Sequence, residues 1–102
     1  MLLRLEDAPL LGLETEFPDV VWALKHPPTE KWGCYKWDGI HGLAVFSAEH
    51  FAVQFAGYVE EPLVPVEMSF DEARRVAQER PMPIVAVLLC DDLNAPKVHY
   101  VR

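Results

Sequence analysis

Serine is nearly missing from this sequence: there are two, Ser47 and Ser69, and Ser, Thr, Asn and Gln together number only seven. Each serine stands where an apolar run gives way to a helical pattern. Ser47 follows Leu43-Ala44-Val45-Phe46 and Ser69 follows Val64-Pro65-Val66-Glu67-Met68. A serine so placed accepts a hydrogen bond from a free amide of the first helical turn, an effect of about 1 kcal/mol. Glu72, three residues after Ser69, adds the second half of a capping box. With both hydroxyls expected in structural roles, a serine-nucleophile enzyme is disfavoured.

Other absences narrow the chemistry further. The two cysteines, Cys34 and Cys90, are too few for a disulfide framework and form no Cys-x-x-Cys pair. His26, His41, His50 and His99 share no His-x-x-His or His-x₃-His spacing, so no metal site and no metal or organic cofactor is expected. The five glycines are scattered, with no Gly-x-Gly-x-x-Gly or Walker loop to cradle a phosphate. Sixteen acidic residues against nine basic ones give a net charge of −7, and Arg74-Arg75 is the one basic pair. That field repels a phosphate backbone, which argues against nucleic acid as a partner. No uncharged apolar run approaches the ~18 residues of a membrane span, and Arg4, Glu6 and Asp7 interrupt what a signal peptide would need. The expectation is a cytoplasmic protein that does not engage a membrane.

What is present is apolar, aromatic and proline-rich. The 102 residues suit a single domain, 1–102. Hydrophobic residues make up 51%, with three Trp, three Tyr and five Phe, which is enough for a core without staples. Nine prolines beside few labile amides fit a heat-adapted, thermostable chain.

Along the chain, Leu3 and Leu5 alternate with charge as in a short strand. Asp19 to Lys25 reads as a strand with Val20, Trp22 and Leu24 on one face, although Pro18 could also open a helix there. Lys31 to Trp37 and Ile40 to Phe46 flank Asp38-Gly39, the dipeptide of a two-residue type I′ hairpin turn. That turn places Lys36 opposite His41 and Cys34 opposite Leu43. Phe51, Ala52, Phe55 and Ala56 form a helical stripe ended by Gly57. Leu63 to Met68 is a strand whose Pro65 predicts a sheet edge or a bulge. A second helix, Phe70 to Arg80, turns Phe70, Ala73, Val76 and Ala77 inward, with Asp71–Arg75 and Arg75–Glu79 pairs outside. Ile84 to Cys90 is apolar throughout, as a strand covered on both faces reads, and Lys97 to Val101 alternates as a last strand. The fold class expected is α+β: a mixed β-sheet with an N-terminal meander or hairpin and two helices packed on one face. The face left bare would then need cover, by the N-terminal segment or by a second subunit, which is the main reason to expect a homodimer.

Two groups of residues are candidates for function. In the hairpin, Trp32, Cys34 and Lys36 point to one side while Gly33, Tyr35 and Trp37 point to the other. One face of the hairpin, bearing either Tyr35 and Trp37 or Trp32, is therefore expected to offer an apolar patch for a protein partner. Asp91 and Asp92 follow the buried strand at its carboxyl end, where open α/β sheets place ligands. Adjacent carboxylates there suit acid–base chemistry or a divalent cation; the simpler reading of Asp-Asp-Leu-Asn-Ala-Pro is a turn between two strands.

The order of parts from Asp38 to Cys90 resembles SseB-like domains, small bacterial domains. The likeness lies in the glycine-punctuated hairpin, the strand ending in Phe46-Ser47, Glu49 in the next helix, the Val-Pro-Val-Glu strand and the Phe-x-Glu-Ala helix. Where that family usually has Phe-Thr and a later Asn-Pro, this chain has Phe46-Ser47 and Asp91-Asp92. The resemblance implies a non-enzymatic α+β domain. The functional expectation is a small domain working by homodimerisation or protein–protein contact. Its rivals are a small-ligand or hydrolytic domain using Asp91 and Asp92, and an acidic antidote to a basic toxin.

Overall fold

A computed structural model describes residues 17–102 and shows a mixed seven-stranded sheet with two helices packed against it. The strand read at Leu3 and Leu5 lies outside those residues. The elements are β1 (Val20–His26), β2 (Lys31–Trp32), β3 (Cys34–Trp37), β4 (Ile40–Phe46), α1 (Glu49–Ala56), β5 (Val64–Ser69), α2 (Phe70–Glu79), β6 (Ile84–Leu89) and β7 (Lys97–Tyr100). The β-branched Val20-Val21 pair prevails over the helix-opening Pro18, so the ambiguous segment is a strand.

The main sheet runs β5-β1-β4-β6-β7, with β4 and β6 parallel and the other pairs antiparallel. β1 and β4 pair directly only at Trp22–Phe46 and Ala23–Val45. Beyond that point they diverge, and β2 follows β1 while β3 follows β4. The chain doubles back between them at Gly33, whose N–H donates to the Leu24 carbonyl and whose carbonyl accepts from the Ala44 N–H. A Cβ at Gly33 would stand 3.3 Å from that of Leu24, so a side chain there would press on β1.

The two helices lie on opposite faces of the sheet, which corrects the one-face expectation. On one side Ala73 and Ala77 of α2 bury Val21, Ala23, Leu43, Val45, Val87 and Leu89. On the other, Ala52 of α1 lies over Leu24, Ala44, Phe46, Ala86, Leu88 and Cys90. The cause is topological. The β4-α1-β5 crossover runs one way along the sheet and β5-α2-β6 runs back. Two right-handed crossovers in opposite directions must use opposite faces. Both faces are therefore covered within one chain, and the bare face that called for a second subunit does not exist.

Local chemistry follows the sequence with two exceptions. Asp38 and Gly39 take φ angles of 51° and 80°, and the hairpin register pairs Lys36 with His41 and Cys34 with Leu43 as expected. Pro65 sits on β5, which among the described residues pairs with β1 alone. Ser69 caps α2, its Oγ accepting the Glu72 N–H at 3.1 Å. The first exception is on α2: Glu72 binds Arg75 at 2.8 Å rather than reaching back to the cap, and Asp71 binds Arg74 at 2.9 Å. The pairs are thus i,i+3, not i,i+4. At the other end of α2 the Arg102 guanidinium donates to the carbonyls of Gln78 and Arg80, and to Ile84. It meets the orphan acceptors and negative dipole of a helix terminus. The second exception is Ser47.

Candidate functional site

Ser47 is not the cap of α1. Ala48 holds that position in an extended conformation, with no side-chain cap bond. The reason lies across the sheet. β4 and β6 are parallel, so their carboxyl ends finish side by side, with the Cys90 N–H donating to the Val45 carbonyl at 2.8 Å. The next residues on each strand are Ser47 and Asp91. The Ser47 N–H donates to Asp91 Oδ1 at 2.9 Å and its hydroxyl donates to Oδ2 at 2.5 Å. One carboxylate thus engages both donors of one serine, a charge-assisted pair stronger than the cap it replaces. It also places negative charge near the amino end of α1, the favourable end of the helix dipole.

Beside this latch opens a cleft of about 240 Å³. Its aromatic walls are Phe46 from β4 and Phe51, Phe55 and Tyr58 from α1 and the turn after it. Phe55 is held from two sides, with ring centroids 5.4 Å from Phe46 and 5.9 Å from Tyr35. Its polar margin is Gln54, Asp91 and Asp92. The loop carrying the aspartates is fixed: Asp92 Oδ1 accepts the Asn94 N–H at 3.0 Å, and the Tyr35 hydroxyl donates to the Leu93 carbonyl at 3.3 Å. Cys90 lines the floor, and burial pushes its thiol up to about 12, with the Asp91 charge acting in the same direction. It is a proton-bearing wall, not a nucleophile.

The expected residues are thus placed as follows. Asp91 and Asp92 are brought together at the same cleft, Asp91 latched to Ser47 across the strand ends and Asp92 holding its own turn. Trp32, Tyr35 and Trp37 are not brought together. Trp32 packs against the α2-side core with Lys25 Nζ 5.4 Å from its ring, whereas Tyr35 packs on the α1 side. All three are half-buried, and Trp32 lies on the opposite face from Tyr35, as strand alternation expects. The cleft walls are legible in the sequence only as part of a helical stripe, in Phe51 and Phe55. Nothing in the spacing marks Tyr58, which is 75% exposed.

A second cleft, about 470 Å³, lies where β2 and β3 part and is lined in part by His26, Glu61 and Cys34. His26 Nδ1 lies 2.7 Å from the Thr29 hydroxyl and Nε2 3.6 Å from Glu61. Strand alternation puts Cys34, opposite Leu43, on the α2 face of the sheet and His26, next after Lys25, on the other. Solvent reaches Cys34, yet the protein around it raises its thiol above the ordinary value, with the Arg80 charge opposing. These groups do not form an activated thiol–imidazole pair. Among the described residues no three His, Cys, Asp or Glu side chains gather as a metal site, and no helix is long and apolar enough to cross a membrane. Compared with known proteins, the chain matches no family model, no curated protein and no solved structure.

Proposed function

We propose that this domain works by protein–protein contact rather than catalysis, and that the contact runs through the cleft at the carboxyl ends of β4 and β6. The observation that carries this reading is how the cleft's polar groups are used. Asp91 is engaged by Ser47, Asp92 by Asn94 and Tyr35 by Leu93, so the groups a hydrolase would need for proton transfer hold the fold instead. What remains open to a visitor is an aromatic wall ending in the exposed Tyr58, the residue type that dominates protein interfaces. The likeness to SseB-like domains supports the same non-enzymatic reading. Two free cysteines support a reducing, cytoplasmic setting.

A photo-crosslinking side chain at position 58, in cells that make the protein, tests the proposal against the same group at Met82, which is equally exposed but lies in the α2–β6 connection. An adduct of one defined mass from position 58 and not from 82 is the expected result. Adducts of twice the chain's mass would identify the partner as a second copy, keeping the homodimer reading through this cleft. A hydrolytic activity that falls a hundredfold or so in Asp92→Asn would overturn the proposal and restore the enzymatic alternative.

A further inference from the structure

The size and lining of the cleft narrow what enters it. Sites for drug-sized ligands and cofactors occupy roughly 300–1,000 Å³; this one has about 240 Å³, the scale of a single side chain. Its walls combine the rings of Phe51, Phe55 and Tyr58 with the carboxylates of Asp91 and Asp92, and among the described residues no Lys, Arg or His lines it. Aromatic faces and carboxylates share one complement, a cation. Among cations, a planar guanidinium stacks on rings and pairs in two-point fashion with a carboxylate, which an ammonium does not. The net charge of −7 draws a basic partner from a distance.

We propose that the cleft is the receptor for one arginine side chain presented by a basic partner protein. This rests on the cleft being the contact surface and adds the chemistry of what it contacts. Asp92 is the specificity residue: it sits at the exposed rim and is spent only on its own turn, whereas Asp91 is held by Ser47.

The test is ¹⁵N-resolved NMR of the intact chain titrated with four probes: acetyl-Gly-Arg-Gly-amide, its lysine and citrulline counterparts, and agmatine. The expected result is saturable shifts at Gln54, Tyr58 and Leu93 with the arginine peptide. Citrulline, which keeps the shape and loses the charge, should bind about tenfold or more weaker, a difference within reach of cation–π and ion-pair contacts. Added salt should weaken the arginine peptide and leave citrulline unmoved. Asp92→Asn keeps the turn acceptor for Asn94 and should erase the preference between the two. Equal binding of arginine and citrulline would overturn the cation and leave the contact reading standing. Agmatine binding more tightly than the peptide would overturn a protein source. No saturable shift from the arginine peptide would overturn the inference outright, while crosslinking from position 58 judges the contact reading separately.

Discussion

At Gly42, β4 passes so close to β6 that a Cβ would lie 2.7 Å from Leu88 Cγ and 2.9 Å from the Ala86 carbonyl. The ladder between these strands also shifts register there, between His41 and Gly42. Backbone cannot retreat as a side-chain tip can, so Gly42→Ala should cost about 1–3 kcal/mol by overpacking, read as a lower urea midpoint with an unchanged slope. Gly39→Ala meets no neighbour and suffers only from its φ of 80°, costing about 1 kcal/mol. Cys90 gives a second residue-scale prediction. Its folded thiol holds its proton to about 12, against 9.0 for an ordinary thiol. Below pH 9 both states are protonated and its contribution is whole. Above that the unfolded thiol ionises while the folded one does not, so stability falls through the window up to about 12. Urea midpoints measured from pH 8 to 10.5 should decline less steeply in Cys90→Ala than in the parent. Thiol reagents at neutral pH should label Cys34, slowly, and leave Cys90 untouched until the chain unfolds.

The two serines show how far an element can be read from its own residues. Ser69 and the helix it opens are local partners, and the cap forms as the spacing requires. Ser47 likewise follows an apolar strand and precedes a helix, yet Asp91, 44 residues away, takes its hydroxyl. No helix-start pattern contains that information, because it exists only once β4 and β6 lie parallel. The variants should separate accordingly. Ser69→Ala should cost about 1 kcal/mol and Ser69→Asp almost none, since aspartate caps as well. At position 47 even Ser47→Asp should be costly, because it sets two carboxylates against each other; urea unfolding of the three variants decides. The hairpin register from Cys34 to Leu43 was legible for a similar reason, being fixed by Asp38-Gly39, but the break at Gly33 that hands Lys31–Trp32 to β1 was not. The cleft was half legible: Asp91 and Asp92 were marked by their place after an apolar strand, while the aromatic wall looked like any core-facing stripe.

For the whole molecule, the decisive feature is the reversal of direction between the two crossovers. Element order and type follow from periodicity, but which face each helix takes depends on where β5 inserts, and β5 carries no mark of its neighbour beyond Pro65 as an edge signal. Once β5 lies outside β1, right-handed crossovers seal both faces. The proline-rich loops and covered faces lead us to expect a thermal midpoint above the ~45–65 °C of ordinary mesophilic domains, which calorimetry checks. The same arrangement governs synthesis on the ribosome. β6 is an interior strand of the sheet, bonded by β4 on one side and β7 on the other, yet it is translated after β1 to β5 and both helices. A nascent chain that has emerged only as far as Arg80 owns both helices and most strands, but the open side of β4 has no mate and neither core can close. Folding should therefore arrive in one late step. An arrest-peptide fusion series should show pulling force only when β6 has cleared the exit tunnel, and force at shorter lengths would mean that β1 to β5 fold without it.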